Sequence, residues 1–221
     1  EGLEEAGLSV GEPPGNGVDV ALTVDSAGGI YVRDSDPELI RFIVDWLQHQ
    51  PWCGPVLTRT GEHSLKLEMV GLDHPRAPDI ALVLKSNDSE NEHGILGGCM
   101  NNSSFYPVGG GIHGGLHALE LQSWMAARGN CFQSGHRSEL SSGIVDILPT
   151  ILHLLDVPVP DHVQGRVLQE IFSESSEISF PEMNIVTHER KGSGNYLARL
   201  KVTEVGKHFY LEEGWVDESL K

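Results

Sequence analysis

Five consecutive apolar residues, Ile80-Ala-Leu-Val-Leu84, constrain this fold more than any other stretch. A strand with one solvated face alternates, whereas one apolar throughout carries a layer on each side. Upstream, Val18, Val20, Leu22 and Val24 alternate with Asp19, Ala21 and Thr23, the period of a half-buried strand. Gly28-Gly29 is read as the turn after it, and Ile30-Tyr-Val32 as the strand that pairs back. Asp36-Pro37 reads as an N-cap with Pro at the first helical position. Leu39, Ile40, Ile43, Val44 and Leu47 form the apolar stripe of that helix, which stops before Pro51. Leu65, Leu67 and Met69 alternate with charged residues and predict a further strand. Strand, helix and buried strand in this order indicate an α/β class.

From Ser86 to Leu116 the periodicity stops, and Asn, Ser and Gly dominate. A long aperiodic stretch beyond a buried strand has the character of a binding loop. Asn87 and His93 on it are candidates to line a substrate pocket, although ordinary loop polarity explains them too. The stretch ends in Gly109-Gly-Gly-Ile-His113-Gly-Gly115, a crowd of glycines around one imidazole. That implies either unusual backbone angles and close approach or simple mobility. Leu121, Trp124 and Met125, at i, i+3 and i+4, predict a helix over 117–128. Ser142 is placed to cap a second helix with Ile144, Ile147, Leu148, Ile151, Leu152 and Leu155 facing inward. Ser173 to Ser179 reads as a polar connector, and Tyr196 to Leu211, turning at Gly206, as a terminal β-hairpin.

Charge excludes some partners. Lys plus Arg number 15 against 32 Asp plus Glu, a formal −17 over 221 residues, which argues against binding nucleic-acid polymers or anionic membrane. No run approaches the length of a membrane span. An anionic substrate then needs local help, such as a metal. Cys53, Cys99 and Cys131 have no metal-knuckle spacing and read as free thiols.

The order Asp79-Ile-Ala-Leu-Val-Leu-Lys-Ser-Asn-Asp88, Gly111-Ile-His113-Gly114, Val145-Asp-Ile-Leu-Pro-Thr150 and Gly165-Arg-Val-Leu168 resembles the C-terminal half of the alkaline phosphatase superfamily. Within it the chain looks like the type I phosphodiesterase/nucleotide pyrophosphatase group, over roughly Val18 to Phe172. The resemblance implies an α/β/α sandwich over 1–172, with a small cap-like insert around 33–78, followed over 173–221 by a connector and the C-terminal hairpin. It also implies two divalent metal ions, usually zinc, a small anionic phosphoester substrate, and His113 as one metal ligand. The nucleophile, a Thr or Ser, and the other ligands, including an Asp-His-Gly triplet, belong to the family's N-terminal half. Asp73-His74 only imitates that triplet, because Pro75 follows it. The expectation is therefore a C-terminal portion of a hydrolase of phosphodiester, pyrophosphate, phosphate or phosphonate bonds, inactive by itself. The alternative is a non-catalytic binding domain that keeps the fold.

Other polar residues are weighed against it. His113 and His117 lie four apart, but Gly114-Gly115 between them and the missing Glu argue against a zinc-peptidase helix. His117 reads as a helix cap or a solvent-facing residue rather than a ligand, and His136-Arg137 as either a phosphate contact or a surface pair. His153 reads as packed, and Asp146 and Thr150 as capping and intrahelical bonding.

Overall fold

The computed structural model describes residues 2–12, 14, 16–24, 27–101, 107–111, 113–173 and 181–217. The fold is mixed α/β, with three separate sheets and few helices. The elements are α1 (Gly2–Glu5), β1 (Val20–Val24), β2 (Ala27–Val32), α2 (Pro37–Gln48), β3 (Cys53–Thr58), β4 (Leu65–Lys66) and β5 (Ile80–Leu84). They continue with β6 (Ser86–Glu90), β7 (Leu96–Cys99), α3 (Ala118–Leu121), α4 (Ile147–Leu154), β8 (Met183–Lys191), β9 (Leu197–Val205) and β10 (His208–Val216). Two compact units emerge. One comprises Glu1–Gln122, His188–Leu200 and Glu212–Lys221, the other Ser123–Thr187 and Lys201–Leu211.

In the first unit a five-stranded sheet runs β1-β2-β5-β3-β4. β1 and β2 are antiparallel with Val20 opposite Val32, β5 lies antiparallel to both β2 and β3, and only β3–β4 is parallel. β5 is buried at four of its five positions, as its unbroken apolar run requires. α2 starts where Asp36 Oδ1 accepts the N–H groups of Glu38 and Leu39, and it buries Ile43, Val44 and Leu47. Residues 33–78 thus contribute α2, β3 and β4 to the same unit as β1, β2 and β5.

Several expectations change. Gly28 and Gly29 lie inside β2, paired with Val24 and Thr23, instead of forming the turn. Leu65 and Leu67 are buried, but the strand lasts two residues and becomes a 3-10 turn over Leu67–Val70. β3 contains Gly54-Pro55, which look like breakers, yet all six residues are buried. Its pairing with β5 shifts register between Cys53 and Val56, where a proline is tolerated. The Tyr196 hydroxyl bridges that irregularity, donating to Gly54 O at 2.9 Å and accepting from the Val56 N–H at 2.8 Å.

β6 and β7 form a two-stranded antiparallel hairpin within the stretch expected to be irregular. The helix expected over 117–128 ends at Leu121; Trp124 is 86% exposed and Ser123–Arg128 has no regular structure. The expected polar connector lies almost wholly at 174–180, outside the described residues. β9 and β10 make the C-terminal hairpin, with β8 as a third strand in the order β10-β9-β8.

The second unit holds a 3-10 turn, Ile144–Asp146, leading into α4. The Gly143 N–H donates to Asp146 Oδ2 at 2.8 Å, so Asp146 rather than Ser142 caps this start. The apolar stripe faces outward, contrary to expectation. Ile144 is 81%, Leu148 52% and Leu155 65% exposed, and the residues of α4 that are buried are Pro149 and Thr150.

Polar anchoring accounts for the orientation. Asp146, fully buried, accepts the Arg166 N–H on Oδ1 at 2.7 Å and the Tyr210 hydroxyl at 3.2 Å. Thr150 Oγ1 accepts the Leu168 N–H at 3.1 Å, a tertiary bond where an intrahelical one was expected. Arg166 donates to both Glu170 oxygens, at 2.9 and 2.7 Å, and to Ser141 O at 3.1 Å. These bonds require the polar side of α4 to face inward, and its apolar side follows outward.

Candidate functional site

The glycine loop is fixed most tightly at its exit. His117 is buried and serves as N-cap of α3, its Nδ1 accepting the Leu119 N–H at 3.2 Å. Because Nδ1 accepts, the neutral ring carries its proton on Nε2, which donates to Asp88 Oδ1 on β6 at 3.1 Å. Leu116 O accepts the Gly214 N–H of β10 at 2.7 Å. One residue earlier, the Gly115 N–H donates to Glu120 Oε1 at 3.2 Å. A Cβ on Gly115 would lie 2.1 Å from Glu120 Oε2, so the carboxylate occupies the space that a side chain there would need.

This arrangement is a variant of the capping box: the N-cap side chain takes an N–H of the first turn, and the acid three residues on reaches back. Here the acid reaches past the cap to Gly115 and draws the loop onto the helix. Gly114 has φ +100°, the left-handed backbone that glycine adopts without strain. His113 stands exposed just ahead of these anchors.

Glu120 has a further peculiarity. Its Oε2 is buried and has no hydrogen-bond partner among the described residues. Burial, and after it the Glu120 charge, raise the pKa of the Cys99 thiol on β7.

The other candidates fall as follows. Asn87 is exposed on β6, opposite Gly98 of β7, and its Oδ1 accepts the Ser89 N–H at 2.9 Å. His93 is exposed at the hairpin turn, its N–H bonded to Asn91 Oδ1 at 2.9 Å and its ring 3.8 Å from Glu92. His117 bonds Asp88, the neighbour of Asn87, so the hairpin and the loop exit are joined within the first unit. His136 and Arg137 are exposed in the second unit, Arg137 3.9 Å from Glu139. His153 packs against the ring of Phe172 at 5.4 Å but is otherwise exposed. Asp73 and His74 are exposed, with His74 Nδ1 accepting the Arg76 N–H.

Among the described residues no three His, Cys, Asp or Glu side chains gather closely enough to hold a metal ion. The donors fit a single ligand, His113, together with a buried carboxylate oxygen that lacks a partner. They do not close a site.

Sequence reasoning missed a cleft of about 630 Å³ in the first unit, lined by Ser35, Arg41, Thr58, Arg59, His63 and Asp79 among others. Ser35 and His63 adopt positive φ. Arg59 is committed to the carbonyls of His74, Pro75 and Ala77, with Asp79 at 3.8 Å, which makes it a tether for the 74–79 segment. The signal available was the run of chain reversals around it. The chain matches no known family, curated protein or solved structure.

Proposed function

We propose that this chain forms the C-terminal portion of an alkaline-phosphatase-like α/β/α sandwich that hydrolyses phosphodiester, pyrophosphate or related phosphate and phosphonate bonds. His113 contributes one ligand to its two divalent metal ions, zinc by the nature of the donor. The observation that carries the reading is the clamped loop exit: Gly115, Leu116 and His117 are each held, and an exposed imidazole stands directly before them. A ligand needs that kind of fixed base, since orientation by surrounding groups sets metal affinity. Within the second unit the segments 145–150 and 165–168 are joined, with Asp146 and Thr150 bonded to the backbone of Arg166 and Leu168.

Divalent metal ions held in part by His113 would supply the activation of a hydroxyl nucleophile and the neutralisation of charge on the phosphoryl group. This chain's own part is to present the His113 imidazole and, from the β6–β7 hairpin, Asn87 and His93 to the substrate. The nucleophile is assigned to no residue here.

In a protein carrying the complete site, His113→Ala is expected to lower metal affinity and activity by at least the 10- to 100-fold that even supporting residues cost. His117→Ala should cost much less, and excess zinc should partly rescue the His113 variant. A His113→Ala enzyme with full metal content and normal rate overturns the assignment. The 221-residue chain alone should bind zinc weakly and show no turnover, because one histidine falls short of the three or four protein ligands a zinc site needs.

A second reading, a binding domain without catalysis, draws on the absence of a closed metal cluster among the described residues. It gains if the complete protein holds zinc no better than its His113→Ala variant and turns over no phosphoester.

A further inference from the structure

We infer that a second cleft in the first unit, of about 800 Å³, binds an alkyl or aralkyl amine, an apolar body with an ammonium head. The inference is independent of the proposed role of His113. Sheet register builds one wall of the cleft. Leu22 of β1 lies opposite Ile30 of β2, and Ile30 lies opposite Ile80 of β5, so Leu82 and Leu84, two and four residues on, share that face. Leu22, Ile30, Leu82 and Leu84 all line the cleft. Trp46 and Leu47 of α2 join them, with Trp52 just beyond that helix. The two indoles meet at 63° with centroids 6.1 Å apart, and both are half-buried. At Gly2 a Cβ would lie 2.9 Å from the Trp46 ring, so the missing side chain lets α1 lie against the indole and line another side with Leu3.

Protein interiors leave few voids larger than a water molecule, and this volume is that of a small-molecule site. The lining selects the occupant. Leucine, isoleucine and tryptophan take an apolar body, and indole rings also attract an ammonium group. Glu5 is the one charged residue among those that line the cleft, and it is exposed with no ion pair among the described residues. Gln50 Nε2 donates to Trp46 O at 2.9 Å, which leaves the Gln50 amide oxygen to accept an N–H. A carboxylate and an amide oxygen beside an apolar cleft favour an ammonium head over a carboxylate or phosphate. The formal −17 of the whole chain acts in the same sense.

Calorimetric titration of the full chain with n-decylamine, n-decanol and decanoate, each below its micellar concentration, tests this, with amide resonances recorded alongside. Decylamine should saturate one site and shift the amides of Leu22, Ile30 and Leu82. It should bind about 10-fold more tightly than decanoate, with decanol between them. Shortening the amine to hexylamine should weaken binding about fourfold per methylene removed. Glu5→Gln should weaken decylamine about threefold and leave decanol unchanged. Ala6→Trp, which fills the cleft from a lining position, should weaken all three ligands about 10-fold or more, the loss of two or three buried methylenes. The inference falls if decanoate binds as tightly as decylamine, or if a folded Ala6→Trp chain binds unchanged. It falls if propylamine matches decylamine, since surface charge alone then explains the binding. It falls equally if the shifted amides lie outside the cleft, an outcome read on the parent chain and so unaffected by whether Ala6→Trp folds.

Discussion

Gly165 shows how one missing methyl group can fix a motif. A Cβ there would lie 2.0 Å from Val145 O and 2.9 Å from Asp146 N, both backbone atoms that cannot swing aside. Gly165→Ala is therefore expected to destabilise by about 3 kcal/mol, the upper end for overpacking. Gly129→Ala, whose Cβ would meet Phe132 at an ordinary 3.5 Å, should be close to neutral. Comparing urea midpoints of the two variants checks this, and equal losses would contradict it. At this scale the sequence was readable wherever the chemistry is local. The cap at Asp36 and the capping role of His117 follow from neighbours two or three positions away. Asp146 caps its turn as its position suggests, but its second bond to Arg166 and the bond of Thr150 to Leu168 were not legible, because those partners lie 20 and 18 residues downstream.

Among the elements, α4 with its Arg166 and Glu170 anchor has a stability that depends on pH. Burial alone would raise the Glu170 carboxyl, but the hydrogen bonds and charge of Arg166 outweigh it and hold the pKa below the usual 4.5. As pH falls, the unfolded chain takes up the proton first. The stabilisation is therefore complete above about 4.5 and is lost as pH drops through the lower, folded value. Glu170→Gln should cost about 3–5 kcal/mol near neutral pH, because it leaves a buried guanidinium without its countercharge. The gap between variant and parent should narrow below pH 4; a gap independent of pH would show that the ion pair contributes little.

Elements with a regular period were legible, such as β1, α2 and β5. β3 was not, because a buried tyrosine hydroxyl 140 residues away completes the ladder that Gly54-Pro55 interrupts. The helix expected from Leu121, Trp124 and Met125 fails for the opposite reason: the spacing is present, but Trp124 and Met125 are exposed and have little burial to hold a further turn.

For the molecule as a whole, a formal charge of −17 would ordinarily keep copies apart. The second unit opposes that tendency with exposed apolar side chains, among them Ile144, Leu148, Ile151, Leu155 and Val159. Patches beyond a few hundred Å² on a soluble chain mark contact surfaces or drive association. The chain is expected to associate with rising concentration, and more strongly in salt, which screens the net charge and leaves the apolar attraction. Sedimentation velocity checks this: Ile147→Lys combined with Ile151→Lys should shift the population to monomer, and a parent chain that stays monomeric at all concentrations would contradict it. The inverted burial of α4 could not be read from its sequence, since an apolar stripe signals only that something must cover it.

The exposed indole of Trp124 has an optical consequence. Three of the four tryptophans, Trp46, Trp52 and Trp215, belong to the first unit, and Trp46 and Trp52 meet edge to face at 6.1 Å. Trp124 is alone in the second unit and almost fully in water. Its emission should be red-shifted and readily quenched by iodide, while the other three respond weakly. Subtracting the spectrum of a Trp124→Phe chain leaves the fluorescence of the second unit by itself, so the unfolding of each unit can be followed separately in one unlabelled sample.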